Sequence, residues 1–480
     1  MKKIYIILII ALTAFSIRSS AQNIKGSNND ITGIWLGALK VSGIELRLVF
    51  NIKENESGII TATMDSPDQG AKGIPVDTVI LNKENIMLEV KAVKGYFEGV
   101  FNPDSSAISG NWHQSSLSLP LVLKKVDKIE EAKRPQEPKP PFPYKVEDVS
   151  YGNKSEGITL GGTLTMPETG GPFPAVLLIT GSGAQNRDEE ILGHKPFLVI
   201  ADYLTRRGIA VLRVDDRGVG KSTGKFSDAT TKDFATDALA GVEYLKTIKE
   251  VNPDEIGLIG HSEGGLIAPM VAVESNDVAF IILLAGPGLP GSQILLKQEA
   301  LISKLYGMPE ETVERDTSFK SKLFAVIKED KDNQQTKNDF EKIIDDYYNS
   351  LTEKEKTDAG SANKVLTEMM KAFTNPWMKF FITYDPVPTL EKVKCPVLAL
   401  DGSKDVQVPP QEDLSAIKAA LEKGGNKNFK IHELPGLNHL FQDAKTGSPG
   451  EYGKIEETFS PGALKIMGDW ILKIVGEEKK

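Results

Sequence analysis

Cysteine is nearly absent from this chain of 480 residues, in which Cys395 is the only one. A lone cysteine cannot form an internal disulfide, and its neighbours in Cys395-Pro-Val-Leu-Ala-Leu indicate a core position. Basic residues are also fewer than acidic ones: the chain has 57 lysines and arginines and 66 aspartates and glutamates, which gives a net charge of −9. An acidic chain without a long basic run binds nucleic acid poorly, so we expect no nucleic-acid partner.

Long hydrophobic runs are missing as well, since no stretch after the first 21 residues reaches the ~18 apolar residues of a membrane helix. Residues 1–21 predict a secretory signal peptide: Lys2 and Lys3 give a basic start, an apolar stretch follows, and Ser19-Ser20-Ala21 offers small residues for cleavage. The apolar core is too short to span a bilayer, which disfavours an uncleaved anchor. We therefore expect a secreted or periplasmic protein, with no stable membrane insertion after signal cleavage.

Two regions of different character follow, joined by a proline-rich stretch. Residues 24–125 contain short runs with the two-residue alternation of half-buried strands, which predicts a small antiparallel β-barrel or sandwich. Residues 126–144 hold five prolines among charged residues and predict an extended linker. A mature chain near 460 residues exceeds what one core usually fills, so at least two domains are expected.

From residue 145 to residue 480 the pattern alternates between strands and helices. Buried parallel strands are predicted in five apolar runs, at residues 175–180, 209–214, 256–260, 278–285 and 397–400. Helical patterns separate them, which predicts an α/β fold with a doubly wound, mostly parallel sheet. A helical insertion at about 290–392 interrupts the alternation and is a candidate cap over the site.

The strongest chemical signal is Gly260-His-Ser262-Glu-Gly264, which matches G-x-S-x-G between a predicted strand and a predicted helix. A serine on such a tight turn has a strained backbone that lifts its hydroxyl clear of the sheet. The N–H group of Glu263 then faces a developing oxyanion at the start of the helix. We interpret Ser262 as a nucleophile.

A serine nucleophile needs a base, and the chain has five histidines. His113 lies in the β-region and His432 lies within a predicted strand. His261 is expected to point away from the site because it directly precedes Ser262, and His194 is expected near the pocket but too early in the chain. His439 follows a further predicted strand, at residues 429–434, as the Ser…acid…His order of this fold requires, and is the predicted base.

The acid is expected between the last two strands, where Asp401 and Asp405 are both available. Asp401 ends a strand before a glycine, a position typical of a turn, so Asp405 at the loop apex is the better candidate. A second oxyanion donor is expected in the loop Thr180-Gly-Ser182-Gly183-Ala. There the backbone N–H of Ser182 is favoured and that of Gly183 is the alternative.

One motif suggests a different chemistry and is rejected. Gly218-Val-Gly220-Lys-Ser-Thr-Gly resembles the end of a phosphate-binding loop, but Asp215 occupies the place of that motif's first glycine. No His, Cys and carboxylate spacing typical of a metal site occurs either. We therefore expect no nucleotide, metal or other cofactor.

Residues from about 150 to 475 resemble bacterial α/β-hydrolases of the esterase and serine-aminopeptidase-like group, and the whole chain resembles the secreted subset with an N-terminal β-domain. The resemblance is carried by the stretches 180–189, 215–222, 260–265, 401–410 and 438–441. It implies a triad of Ser262, Asp405 and His439 with an oxyanion hole from Ser182 and Glu263. One departure is Thr180-Gly181, where the family usually has His-Gly.

The expected function is hydrolysis of small carboxylic esters through an acyl-enzyme intermediate. A serine aminopeptidase acting on short peptides is the first alternative. The second is a binding protein in which the hydrolase fold is catalytically silent. The expected partner in the two enzymatic cases is a small-molecule ester or a short peptide.

Overall fold

The computed structural model describes residues 31–41, 44–67, 71–114, 117–129 and 133–477, and the predicted signal segment 1–21 lies outside them. The chain divides into two compact units. The first comprises the described residues up to Lys133 together with Ile191–Gly193, and the second comprises Arg134–Glu190 and the chain from His194 onward. Among the described residues, no helix combines the length and apolar character needed to cross a bilayer.

The first unit is one antiparallel sheet of nine strands. Neighbouring strands in the sheet follow the order β4-β3-β2-β1-β9-β8-β7-β6-β5, so that β1 pairs with β9 and the edge strands are β4 and β5. The strands are β1 Gly33–Val41, β2 Ile44–Glu54, β3 Ile60–Ser66, β4 Ala71–Pro75, β5 Thr78–Asn82, β6 Asn85–Val90, β7 Gly95–Asn102, β8 Ala107–Gln114 and β9 Leu117–Val126.

This sheet curls into a half-barrel because its two edge strands are consecutive in the chain. Two residues link these edge strands, and each is bonded to a strand further in. The N–H of Val76 donates to Ala62 O in β3 at 3.1 Å, and the N–H of Asp77 donates to Glu89 O in β6 at 2.8 Å. Alternate residues of the strands face inward and form a closed apolar core, which includes Trp35, Phe50, Leu88, Phe97 and Ile108. The prediction of a barrel is therefore closer to the structure than that of a sandwich.

The second unit contains a mixed sheet of eight strands in the order β10-β11-β13-β12-β14-β15-β16-β17. β10 and β11 form an antiparallel hairpin, β11 pairs antiparallel with β13, and all other pairs are parallel. The strands are β10 Tyr144–Asn153, β11 Ile158–Pro167, β12 Phe173–Ile179, β13 Ala210–Val214, β14 Val251–His261, β15 Phe280–Leu284, β16 Val397–Gly402 and β17 Phe429–Leu434.

Helices cover both faces of this sheet, so the prediction of a doubly wound sheet is confirmed. Apolar side chains of α1 (Pro196–Thr205) and α12 (Pro461–Glu477) share one core with the sheet. Those of α2 (Thr231–Leu245), α3 (Gly264–Glu274) and α11 (Pro410–Lys423) share the core on the other face. Burial of these two apolar layers is the main favourable term in the folding of the unit.

The cap is a run of helices between β15 and β16. Its bounds are α4 Gly291–Leu305, α5 Glu310–Lys328, α6 Asn333–Ser350, α7 Glu353–Ala359, α8 Ala362–Phe373, α9 Pro376–Thr383 and α10 Val387–Leu390. The apolar stripes of α5, α6 and α8 meet in a core of the cap's own, which includes Phe319, Leu323, Phe340, Ile344 and Phe373. The predicted helical insertion is present, and these stripes stabilise the cap itself.

Residues 134–143, the part of the proline-rich stretch that belongs to the second unit, have neither helix nor strand, but hydrogen bonds fix them within that unit. Arg134 Nη1 donates to Ile455 O at 2.9 Å, and Gln136 Nε2 donates to Phe459 O at 2.6 Å. These polar anchors hold residues 134–136 against the segment that follows the His439 loop.

Candidate active site

Ser262 lies in the turn between β14 and α3 with a φ of +52°, a value that non-glycine residues rarely adopt. Its N–H donates to Leu284 O at 2.8 Å, which fixes the turn above the carboxyl ends of the central strands. The two flanking glycines are needed for close approach: a Cβ on Gly260 would lie 2.0 Å from Gly264 O, and one on Gly264 would lie 2.2 Å from Ile179 O. The sequence G-x-S-x-G therefore produces this turn for steric reasons.

Alanine at Gly264 is expected to destabilise the second unit. The new Cβ would overlap backbone atoms that cannot move independently, so we expect the free energy of unfolding to fall by about 2 kcal/mol. Urea unfolding followed by circular dichroism measures this. Gly152→Ala is the matched control, because a Cβ there meets no atom closer than 3.9 Å. Equal stability of the two variants would contradict the steric argument.

Asp405 and His439 meet at the end of the sheet, from the loops after β16 and β17. His439 Nδ1 lies 2.5 Å from Asp405 Oδ2, and both side chains are buried. Asp405 Oδ1 accepts the backbone N–H groups of Gln407 at 2.6 Å and Val408 at 2.9 Å. Because a carboxylate only accepts hydrogen bonds, Nδ1 carries a proton and Nε2 remains available as a base.

Asp401, the alternative acid, makes no described contact with His439. Its Oδ1 accepts the N–H of Gly402 at 2.7 Å, as expected of a turn residue. Burial, with a further contribution from the neighbouring Asp405, raises the pKa of Asp401 well above its usual range. A protonated carboxyl is a poor partner for an imidazolium, so the geometry favours Asp405 over Asp401.

The turn that carries Ser262 comes close to His439, because the ring of His261, which directly precedes Ser262, lies 4.9 Å from the ring of His439. Among the described residues, no hydrogen bond joins the side chains of Ser262 and His439. Catalytic hydrogen bonds are often long in ligand-free enzymes and tighten when substrate binds.

The oxyanion loop, residues 180–184, packs against the turn. A Cβ on Gly181 would lie 3.2 Å from Ser262 Cβ, so the loop backbone approaches the serine closely. The N–H of Gly181 is already engaged with Glu189 Oε1 at 2.7 Å. Among the hydrogen bonds of the described residues, none uses the N–H of Ser182 or Glu263 as donor. Both groups are thus available to an oxyanion.

The side chain of Glu263 is a feature that the sequence analysis missed. It is buried, and its Oε1 accepts hydrogen bonds from Thr231 Oγ1 at 2.6 Å and from Trp377 Nε1 at 2.7 Å. Burial raises the pKa of this carboxyl above its usual value, despite these bonds and one from Ser182. Because Trp377 belongs to α9, the residue after Ser262 links the turn directly to the cap.

The expectation that His261 points away from the site is wrong. His261 Nδ1 lies 2.9 Å from Glu189 Oε1, and Nε2 lies 3.0 Å from the backbone oxygen of His439. The expectation assumed that strand alternation continues through Ser262. The positive φ of Ser262 ends that alternation at His261, so the two side chains need not face opposite sides.

His194, which the sequence left as a possible pocket residue, lies inside the fold. Its Nδ1 lies 3.0 Å from Thr458 Oγ1 and its Nε2 lies 2.9 Å from Tyr452 O, and the side chain is fully buried. Burial lowers the pKa of His194 to about 4, so it is neutral near pH 7. It stabilises the segment that follows the His439 loop.

The segment that resembles a phosphate-binding loop braces the oxyanion loop. The carboxylate of Asp215 accepts hydrogen bonds from Arg187 Nη2 at 2.6 Å and from the N–H of Lys221 at 3.0 Å. Asp216, the next residue, is half-buried and accepts from Thr180 Oγ1 and from the N–H of Gln185, both at 2.8 Å. These contacts give the segment a structural role.

A cavity lies beside the oxyanion loop, with an empty volume of about 540 Å³ that includes the space open to solvent. Apolar side chains dominate its lining, and Phe226 and Phe234 are stacked at 5.0 Å. Asp216 and Glu263 contribute acidic groups to the same lining. A mostly apolar cavity with a few polar groups is typical of a small-molecule site.

The doubly wound sheet, the helical cap and the turn at Ser262 define the α/β-hydrolase class. Residues 197–443, slightly more than half of the chain, match the hydrolase family described as serine aminopeptidase, S33, and the chain belongs to this family.

Esterase EstD of Thermotoga maritima is 26% identical over 315 residues, which cover 65% of this chain and 66% of that protein. The putative hydrolase YtaP of Bacillus subtilis is 32% identical over 117 residues, which cover 21% of this chain and 39% of that protein. The chain thus spans less than two thirds of the length of these relatives. An esterase from Pyrococcus furiosus superposes with a TM-score of 0.43 at 18% identity, covering 72% of this chain and 98% of that one.

Proposed function

We propose that this protein is a serine hydrolase of small carboxylic esters, with Ser262 as nucleophile, His439 as base and Asp405 as the acid that orients it. The observation that carries the proposal is the 2.5 Å hydrogen bond between His439 and Asp405, together with the strained backbone of Ser262 in the turn after β14. An acid–base pair within reach of a serine hydroxyl is the arrangement that activates a serine.

In the proposed reaction, His439 Nε2 takes the proton of Ser262 Oγ as the oxygen attacks the ester carbonyl carbon. The N–H groups of Ser182 and Glu263 stabilise the tetrahedral oxyanion, and Gly183 is the alternative donor to Ser182. The intermediate then collapses, and His439 protonates the departing alkoxide. Water, deprotonated by the same nitrogen, attacks the acyl-enzyme and releases the acid.

The similarity to a protein named as an esterase supports an ester as substrate. Export to the periplasm or the exterior remains part of the proposal, because residues 1–21 have the pattern of a secretory signal peptide.

Aminopeptidase activity is the second candidate, favoured by the acidic lining of the cavity. Glu263 is buried there and Asp216 is half-buried, and loss of solvation raises the pKa of both carboxyls. A substrate ammonium group would compensate such buried acids, as the free amino terminus of a peptide does.

A direct comparison of substrates separates these candidates. The mature protein is expected to hydrolyse a 4-nitrophenyl ester of a short fatty acid with a higher kcat/KM than an aminoacyl 4-nitroanilide. The reason is that the ester has the better leaving group and needs no charged anchor. The reverse order of kcat/KM would favour the aminopeptidase. Failure of a fluorophosphonate probe to label Ser262, with no turnover of either substrate, would favour a silent binding protein.

A further inference from the structure

Glu189 shares one carboxylate oxygen between two parts of the site. Its Oε1 lies 2.7 Å from the N–H of Gly181, in the oxyanion loop, and 2.9 Å from Nδ1 of His261. The side chain is buried and the residue has a φ of +50°. A buried acid in a backbone conformation that costs free energy persists only where the surrounding contacts hold it.

His261 continues this connection to the base. Its Nε2 lies 3.0 Å from the backbone oxygen of His439, which can only accept, so Nε2 carries a proton. Nδ1 faces the carboxylate of Glu189, which is also an acceptor when ionised. These contacts therefore require a proton on both ring nitrogens of His261. The positive charge of the ring and the negative charge of Glu189 then cancel.

We propose that Glu189 and His261 form a positioning pair that fixes the oxyanion loop and the His439 loop relative to Ser262. The inference rests on the proposed serine hydrolase function and adds two residues to it, neither of which touches the substrate. Glu189 holds the loop that supplies one oxyanion donor, and through His261 it holds the backbone of the base. The pair thereby connects the oxyanion loop with the His439 loop, although His261 and His439 are 178 residues apart in the sequence.

The charge state of the pair gives it a dependence on pH. Burial alone would lower the pKa of His261, but the charge of Glu189 and the hydrogen bond to it outweigh burial, so the pKa is raised. Asp405 also faces His261 and raises its pKa, while the rings of His439 and Phe441 cover its remaining sides. A raised pKa means that the protonated pair is complete below the ordinary pKa near 6.5 and is lost as pH rises through the folded-state value.

Loss of that proton leaves the lone pair of Nδ1 against a carboxylate. The two groups then repel each other, the loops are released, and turnover falls on the alkaline side. Glutamine at position 189 removes the negative charge, while its carbonyl oxygen, in the place of Oε1, can still accept from Gly181. Without that charge the proton on Nδ1 of His261 is held less strongly, so the Glu189→Gln variant keeps the contact with the oxyanion loop and loses the proton at a lower pH than the wild type.

The test compares Glu189→Gln and Glu189→Ala with the wild type, using a short-chain 4-nitrophenyl ester over a range of pH. We expect Glu189→Ala to lower kcat by about 100-fold with little change in KM, because a small displacement of catalytic groups costs about that much. We expect Glu189→Gln to retain more activity than Glu189→Ala and to show the alkaline fall at a lower pH than the wild type. Glu190→Gln is the matched control, since Glu190 is exposed and adjacent in sequence.

Two results would overturn the inference while leaving the proposed function intact. One is a Glu189→Ala enzyme with wild-type kcat that Ser262→Ala still inactivates. The other is a Glu189→Gln enzyme whose pH profile matches that of the wild type, a comparison that decides the question even where Glu189→Ala does not fold. Activity that survives in Ser262→Ala would instead overturn the proposed function itself.

Discussion

The Ser262→Ala variant is expected to lose turnover of a short-chain aryl ester by on the order of 10⁶ in kcat, by analogy with triad deletions in other serine hydrolases. Alanine removes the oxygen that forms the acyl-enzyme, so the two-step route is closed. Binding and the oxyanion donors remain, which leaves a residual rate above that in water. Substrate affinity should change little, because Oγ contributes to bond making more than to ground-state binding.

Steady-state kinetics with a 4-nitrophenyl ester and labelling with a fluorophosphonate measure this effect independently. The wild type should be labelled at Ser262 and the alanine variant should not. Ser227→Ala is the matched control, because Ser227 is an exposed serine in the second unit and its hydroxyl contacts only Asp228 among the described residues. Near-normal turnover in Ser262→Ala, or labelling at another serine, would exclude Ser262 as nucleophile.

Local sequence patterns were most informative where the chemistry depends on residues that are close together in the chain. The turn at Ser262 needs glycines two residues away on both sides, and the steric clashes at Gly260 and Gly264 explain why the motif is visible in the sequence. Asp405 and His439 were predictable from the order of strands, because loops at the carboxyl ends of parallel strands meet at one edge of the sheet.

Contacts between distant residues had no such signal. Glu189 and His261 are 72 residues apart, and Glu263 and Trp377 are 114 apart, so no local spacing connects either pair. The exact backbone conformation also escaped prediction, since the φ of Ser262 decides where strand alternation ends. The acidic run Asp188-Glu189-Glu190, shortly after the oxyanion loop, was the sequence signal nearest to this network.

Many individual strands and helices were predictable from the sequence, but the way in which the strands pair was less so. Alternation of apolar residues identified strands in the first unit, but the curling of the sheet depends on backbone bonds near Val76, which leave no pattern in the side chains. In the second unit, β10 and β11 were not predicted, because Gly161 and Gly162 interrupt the apolar run of β11. The parallel strands β12 to β16 were predicted, since burial on both faces makes them continuously apolar.

The second large effect is expected for Asp405→Asn, which should lower kcat by about 10⁴. Asp405 accepts from His439 Nδ1 at 2.5 Å and is itself held by the N–H groups of Gln407 and Val408. Those two donors fix the side-chain oxygen Oδ1, so an asparagine turns its amide nitrogen toward the imidazole. The imidazole then carries its proton on Nε2, the nitrogen that has to accept from Ser262, and the charge that stabilises the imidazolium is lost.

Asp401→Asn is the matched control for this effect, measured with the same ester near neutral pH. Burial raises the pKa of Asp401 and so favours its neutral form, which an amide of the same shape imitates, and Asp401 does not contact the imidazole, so this change should cost far less than the one at Asp405. The two variants thus differ in whether a negative charge is removed from the imidazole. A large loss from Asp401→Asn together with a mild one from Asp405→Asn would transfer the acid role to Asp401. Equal losses from both would mean that the two neighbouring carboxyls titrate as one unit, so that a change at either one alters the charge that faces His439.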